Sequence, residues 1–166
     1  MLDLAGNGAV LSECKAFRYR LDRHVGAGDV VAAVIGVNPS TADASLDDQT
    51  VRKWRGFGQR LGWRRFIVGN VFSVRATDVR EVATAPDPFG PEHRRHLDEI
   101  IAEADILVPC WGDRAKLPKA LRPRLDETMA VLRLTGRPLF CWGLTAGGDP
   151  KHPMMLGYAT PLIAVQ

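Results

Sequence analysis

Apolar residues gather in four short blocks along this chain, each ended by small, polar or functional residues. The blocks are residues 30–36 (VVAAVIG), 66–71 (FIVGNV), 106–110 (ILVPC) and 139–142 (LFCW). Uncharged runs of this length, bounded by Gly and Pro, read as strands buried on both faces, as in a parallel sheet. Between the blocks the apolar spacing changes to three and four. Val51, Trp54, Phe57 and Leu61 mark a helix over residues 49–61, capped by Asp47 or Asp48 and stopped by Gly62. Leu97, Ile100, Ile101 and Ala104 mark a second helix over residues 92–104, and Leu121, Leu125, Met129 and Leu132 a third over residues 118–135. Alternating strands and helices predict an α/β fold: three-layer α/β/α with a central, mainly parallel four-stranded sheet. Short apolar pieces within residues 6–21 predict an N-terminal edge hairpin, residues 160–165 a short tail strand, and the proline-rich residues 84–91 a loop.

In open α/β sheets ligands bind beyond the carboxyl ends of the strands. Asn38, Asn70 and Trp111 follow or close three of the blocks, and His152 lies in the loop after the fourth. The pattern therefore predicts that these four residues, distant in sequence, meet at one pocket.

Composition narrows the class. At 166 residues the chain reads as a single domain over residues 1–166, with 46% hydrophobic and 25% charged residues, an ordinary globular balance. No run approaches the ~20 apolar residues of a membrane span. The start Met1-Leu2-Asp3-Leu4 lacks a signal-peptide pattern, so a cytoplasmic protein with no membrane partner is expected. A net charge of +3 permits a nucleic-acid partner without demanding one. Two cationic clusters, Arg52 to Arg65 and Arg114 to Arg124, read equally well as solvated helix faces and as polyanion contacts. Cys14, Cys110 and Cys141 lack C-x-x-C spacing, which argues against structural zinc and iron–sulfur clusters, and Cys110 and Cys141, each before a Trp at a strand end, read as buried reduced thiols. His93 and His96 are three apart, with no further ligand nearby in sequence. No metal and no cofactor is expected.

The residues after the blocks suggest chemistry. In Gly36-Val37-Asn38-Pro39-Ser40 a glycine permits close approach of backbone to a ligand, and an asparagine can hold and orient water; an ordinary strand-to-loop turn reads the same way. Asn70, beside apolar residues, needs partners for its amide. It either ties a loop or reads a planar ligand. An amide matches the adjacent N3–H and O4 of uracil and mismatches cytosine, and such mispairing gives strong discrimination. Trp111-Gly112-Asp113-Arg114-Ala115-Lys116 either approaches phosphate or fills the top of the core. His152, between Lys151 and Pro153, stands where a neutral imidazole could donate to developing negative charge.

Together these segments resemble the uracil-DNA glycosylase superfamily. Gly36-Val37-Asn38-Pro39 is similar to its first motif in the asparagine version. Val68-Gly69-Asn70-Val71-Phe72-Ser73-Val74 is similar to the stretch carrying its pyrimidine-reading asparagine. Cys110-Trp111-Gly112-Asp113-Arg114-Ala115 is similar to its third-strand turn, and His152-Pro153 to the opening of its last motif. The stretch from about Phe17 to Leu162, with N-P-S-T-A-D and W-G-L-T…H-P, also resembles a bacterial family known mainly as a domain of unknown function. Where the superfamily commonly continues His-Pro with Ser-Pro, this chain has Met154-Met155-Leu156, and no tyrosine follows Pro39 to exclude thymine.

The resemblance implies a monomeric, monofunctional glycosylase of DNA base excision repair. It would hydrolyse the N-glycosidic bond of uracil, or another damaged base, flipped out of single- or double-stranded DNA. Asn38 would position the water, assisted by Asp43 or Asp48, and His152 would stabilise the leaving base. Gly36, Val37, Pro39, Ser40, Asn70 and Phe72 would recognise the base. Arg75, Trp111, Arg114, Lys116, Lys151, Met154, Met155 and Leu156 would contact DNA, the apolar ones as a wedge. Two other readings stand beside it: a non-catalytic DNA- or nucleotide-binding module, and a hydrolase of free nucleosides or nucleotides.

Overall fold

The uncharged block Val30–Gly36 takes the place expected of it, hydrogen-bonded on both edges to parallel strands. The structure, a computed structural model, describes residues 6–166, so the reading of residues 1–4 lies outside the described residues. In chain order the elements are β1 (Gly8–Leu11), β2 (Arg18–His24), β3 (Val30–Gly36), α1 (Gln49–Arg60), β4 (Trp63–Asn70), α2 (Val79–Thr84), α3 (His93–Glu103), β5 (Ile106–Pro109), α4 (Arg122–Leu134), β6 (Phe140–Cys141) and β7 (Ile163–Ala164). Among the described residues a five-stranded mixed sheet runs in the order β1-β2-β4-β3-β5. β3 is parallel to β4 and β5, while β2 is antiparallel to β1 and β4.

Alternation along β3 splits the core in two. Ala32 and Val34 pack with Phe66, Val68 and the α1 residues Val51, Trp54 and Phe57. Val31, Ala33 and Ile35 pack with Ile67 and with Leu97, Ile100, Leu125 and Leu132 of α3 and α4. Fully burying each Val, Leu, Ile or Phe side chain among these contributes about 1.5–3 kcal/mol, so α1 is held by its three-and-four stripe. Its start is fixed by Asp48, whose carboxylate accepts the Val51 N–H at 2.9 Å.

The sheet differs from the expected four-stranded parallel arrangement at both edges. The fourth block forms only the two-residue β6, which pairs with β7; it meets the sheet through the single parallel bridge between Leu107 and Leu139. Trp142 is instead turned into the α1 core, its ring 4.6 Å from Phe57, and this ends the strand. At the other edge β2 runs past the expected hairpin to His24 and pairs with β4, burying Leu21, Arg18 and Arg23. The N-terminal hairpin is thus present as β1 and β2, with β2 inside the sheet. The short helix α2 has no apolar stripe to announce it. α4 begins at Arg122, after a 3-10 turn at Lys119–Leu121. No helix of the described residues is long and apolar enough to cross a membrane.

Register places the functional loops together. Gly36 pairs with Asn70 and Ile35 with Pro109, so β3, β4 and β5 end at one level. Beyond them the Val71 and Phe72 amides donate to the Gly36 and Val37 carbonyls, and the Ala76 amide to that of Pro39. Two buried arginines of β2 hold the following loop: Arg18 donates to the Ala42 carbonyl at 2.6 Å, and Arg23 pairs with Asp47 at 2.6 Å.

Candidate functional site

A cavity of about 290 Å³ opens beyond the ends of β3 and β4. Asn38, Asn70 and His152 all line it, with Gly36, Val37, Ser40 and Asp48. A strand end and two loops, far apart in sequence, therefore deliver their polar side chains to one space.

Each polar group arrives in a defined state. Both N–H bonds of the Asn38 amide are used, donating to the Pro39 and Ala76 carbonyls at 2.9 Å each. This fixes the amide and leaves its Oδ1 as a free acceptor. Asn70 is only 6% exposed, yet its amide makes no hydrogen bond among the described residues. A buried amide without protein partners is costly unless a ligand or water supplies them. Gly36 makes room for it: a Cβ there would lie 2.9 Å from Asn70 Oδ1.

The His152 imidazole accepts the Met154 backbone N–H at Nδ1, at 3.3 Å. An acceptor Nδ1 puts the proton of the neutral ring on Nε2, which is then a donor. Burial, and then the Lys116 cation, push its pKa below the ordinary histidine value, against the opposing charge of Asp48. Gly112 backs this loop at φ +82°, with its N–H on the Pro150 carbonyl, and a Cβ there would stand 3.1 Å from His152 Cβ. Asp149, 1% exposed, pins the same loop by accepting the Arg114 backbone and side-chain N–H groups at 2.9 Å.

A second depression, a groove of about 500 Å³, shares His152 with the cavity. Trp111, Lys116, Lys151, Met154, Met155 and Leu156 line it, so six of the residues expected to contact DNA lie side by side. Met155 is 94% exposed.

Other expectations are corrected by position. Asp43 does not line the cavity; its carboxylate accepts the Ser45 and Leu46 amides at 2.9 Å, which holds its pKa low and makes it a turn-former. Phe72 lies on the opposite side of the sheet, 5.4 Å from Phe89 in the α3–α4 core. Pro39 is buried and acts through its carbonyl. Arg75 lies outside the cavity, donating to the Ser40 and Lys15 carbonyls. Trp111 is 4% exposed and packs in the core, the filling role its sequence equally allowed, while its edge forms part of the groove lining. Arg114 is held between Asp149 and Asp126, both at 2.8 Å. No group of three or more His, Cys, Asp or Glu side chains able to hold a metal occurs among the described residues.

Sequence reasoning missed Arg18, Thr50, Trp54, Ala76 and Thr77, which complete the lining. Trp54 carries the helical stripe that marks core, and it serves both purposes: its ring packs on Phe66 at 6.2 Å and also faces the cavity. Arg18 lies in a strand whose polar alternation hides a buried charge. Burial lowers its pKa to about 10, so it stays cationic at neutral pH. None of the three cysteines lines the cavity: Cys14 is exposed, and Cys110 and Cys141 are buried, which pushes the Cys110 thiol up to about 12.

Among known families, the one described as "Protein of unknown function (DUF1643)" matches residues 18–154, which include every polar residue of the cavity. No curated protein and no solved structure matches the chain.

Proposed function

The chain belongs to the DUF1643 family of proteins of unknown function, and we propose that it is a DNA glycosylase that hydrolyses the N-glycosidic bond of a flipped uracil. One observation carries the reading: a fixed Asn38, a buried unpartnered Asn70 and a donor-ready His152 line a single cavity of about 290 Å³. The proposed architecture is a three-layer α/β/α sandwich in which β6 continues the parallel set β4-β3-β5, supported by helices on two faces and the Leu107–Leu139 bridge.

The reaction breaks the bond between the sugar C1′ and the base N1, and the electron pair leaves with the base. Water oxygen bonds to C1′, and the proton it gives up ends on the departed base. Asn38 Oδ1 accepts a hydrogen bond from that water and orients it; an amide is too weak a base to do more. Asp48 lines the same cavity and is available to assist. Asn70 pairs with N3–H and O4, and Trp54 supplies the aromatic wall. The His152 Nε2–H donates to O2, where negative charge grows; a preorganised donor of this kind is worth about 2.7–4 kcal/mol. Flipping costs a few kcal/mol, and the exposed Met155 beside Lys116 and Lys151 is placed to fill the vacated stack. The proposal needs neither metal nor cofactor.

The test is incubation with a uracil-containing oligonucleotide followed by alkaline cleavage. Breaks at the uracil position support the proposal; intact strands at micromolar protein, single- and double-stranded, reject it. A second reading, a hydrolase of free nucleosides, is favoured by how many clustered arginines are already ion-paired: Arg55 with Asp47, Arg65 with Asp22, Arg114 with Asp149. Turnover of deoxyuridine without DNA affinity distinguishes it.

A further inference from the structure

Among the described residues two arginines are buried, Arg23 at 1% exposure and Arg18 at 3%. Arg23 has the expected carboxylate, Asp47, at 2.6 Å. Arg18 has no ion pair among the described residues. Its guanidinium donates one hydrogen bond, from Nη1 to the Ala42 carbonyl at 2.6 Å, and its Nε is buried with no partner. A buried charge without a counter-ion costs several kcal/mol, and an arginine presents five N–H donors in a rigid fork. Arg18 lines the same cavity as Asn38, Asn70 and His152. Asp48, on the same lining, contributes only a longer-range attraction and uses one oxygen to cap α1.

We propose that Arg18 is the counter-ion for the negative charge that the base acquires as it leaves. The inference rests on the glycosylase reading and adds a residue to it. When the C1′–N1 bond breaks, its electron pair turns the base into a monoanion, delocalised over the ring nitrogens and carbonyl oxygens. His152 is neutral and offers one hydrogen bond; Arg18 supplies the positive charge. The cavity is thus built for a species that is neutral in the substrate and anionic in the transition state, and its strongest electrostatic interaction appears only there.

The experiment compares Arg18→Met and Arg18→Lys with the unaltered protein on two oligonucleotides, one with uracil and one with 5-fluorouracil, whose base leaves as a more stable anion. Loss of the counter-ion is expected to lower kcat/KM on uracil about 100-fold or more and on 5-fluorouracil at least tenfold less than that. Arg18→Lys keeps the charge without the fork and falls between; it carries the comparison if Arg18→Met does not melt cooperatively. Equal losses on both bases, or none, overturn the proposal, because a purely structural role slows both alike. If the unaltered protein releases neither base, the glycosylase reading fails separately. Arg18 is then tested by titration with barbiturate, a pyrimidine anion at neutral pH. Binding at least tenfold tighter to the unaltered protein than to Arg18→Met supports the counter-ion. Equal or absent binding overturns it, as does tighter binding of inorganic phosphate than of barbiturate.

Discussion

Replacing Gly36 by alanine adds one methyl group at the point where β3 ends against Asn70. The new Cβ would lie 2.9 Å from Asn70 Oδ1 and 3.7 Å from the Trp54 ring. An ordinary carbon–oxygen contact is about half an ångström longer, so the amide, not the indole, must give way. The backbone of Gly36 lies outside the left-handed region, and its carbonyl keeps its bond from the Val71 amide at 2.9 Å, so the strand itself is not strained. Overpacking of this kind costs about 1–3 kcal/mol, which for a domain of this size lowers Tm by roughly 2–4 °C per kcal/mol. The effect on chemistry is larger. Displacement of a positioning group by a fraction of an ångström to 1 Å costs up to about 100-fold, and Asn70 holds the base through two directional bonds. The assay is kcat/KM for uracil release beside a calorimetric melt. Gly36→Ala is expected to keep a cooperative transition and lose about 30- to 100-fold in kcat/KM. Activity within threefold of the unaltered protein would show that Asn70 does not read the substrate.

The pH profile gives two further expectations. Because His152 acts neutral and its pKa is lowered, activity should stay level as pH falls through 6.5 and decline only below it; an acid limb centred at or above 6.5 contradicts this. His93 sits at 2.7 Å from the Ser73 hydroxyl and its folded pKa is depressed by burial from 6.5 to about 4. The unfolded chain therefore takes up this proton first. The stability is fully present above about pH 6.5 and lost as pH falls toward 4, at up to about 1.4 kcal/mol per unit, and His93→Gln should flatten that part of a Tm-against-pH curve. Arg114→Ala leaves the buried Asp149 carboxylate without its cation and should destabilise the fold by about 3–5 kcal/mol in denaturant melts. Lys116→Ala and Lys151→Ala should leave Tm alone and each reduce the slope of log affinity against log salt for DNA by about one; unchanged slopes would remove the groove from the DNA path.

Most of the scaffold was legible because it follows from periodicity. The uncharged run at Val30–Gly36 and the stripe of Val51, Trp54 and Phe57 leave little choice of element or of buried face. The edges were not legible. β6 is short because Trp142 finds a better place against Phe57, and β2 enters the sheet because its arginines are buried by partners elsewhere in the chain, Ala42 and Asp47. Neither fact is local. The same limit governs the site. Asn38, Asn70 and His152 could be picked out because each stands at or beyond a strand end, where parallel sheets collect ligands. Phe72 stands two residues past Asn70, and the pattern cannot tell that its ring crosses to the α3–α4 core. Asp43 and Asp48 look alike in sequence; one closes a turn with Ser45 and Leu46, while the other caps α1 beside the cavity. Arg18 was hidden by its own alternating strand.

A crystal structure with uracil bound reports on the shared cavity without any assumption about turnover. The base should lie against Trp54, with the Asn70 amide within about 2.7–3.2 Å of N3 and O4, and with His152 Nε2 equally close to O2. A cavity that stays empty at saturating uracil, or a ring seated with its polar edge away from Asn70 and His152, would contradict the account.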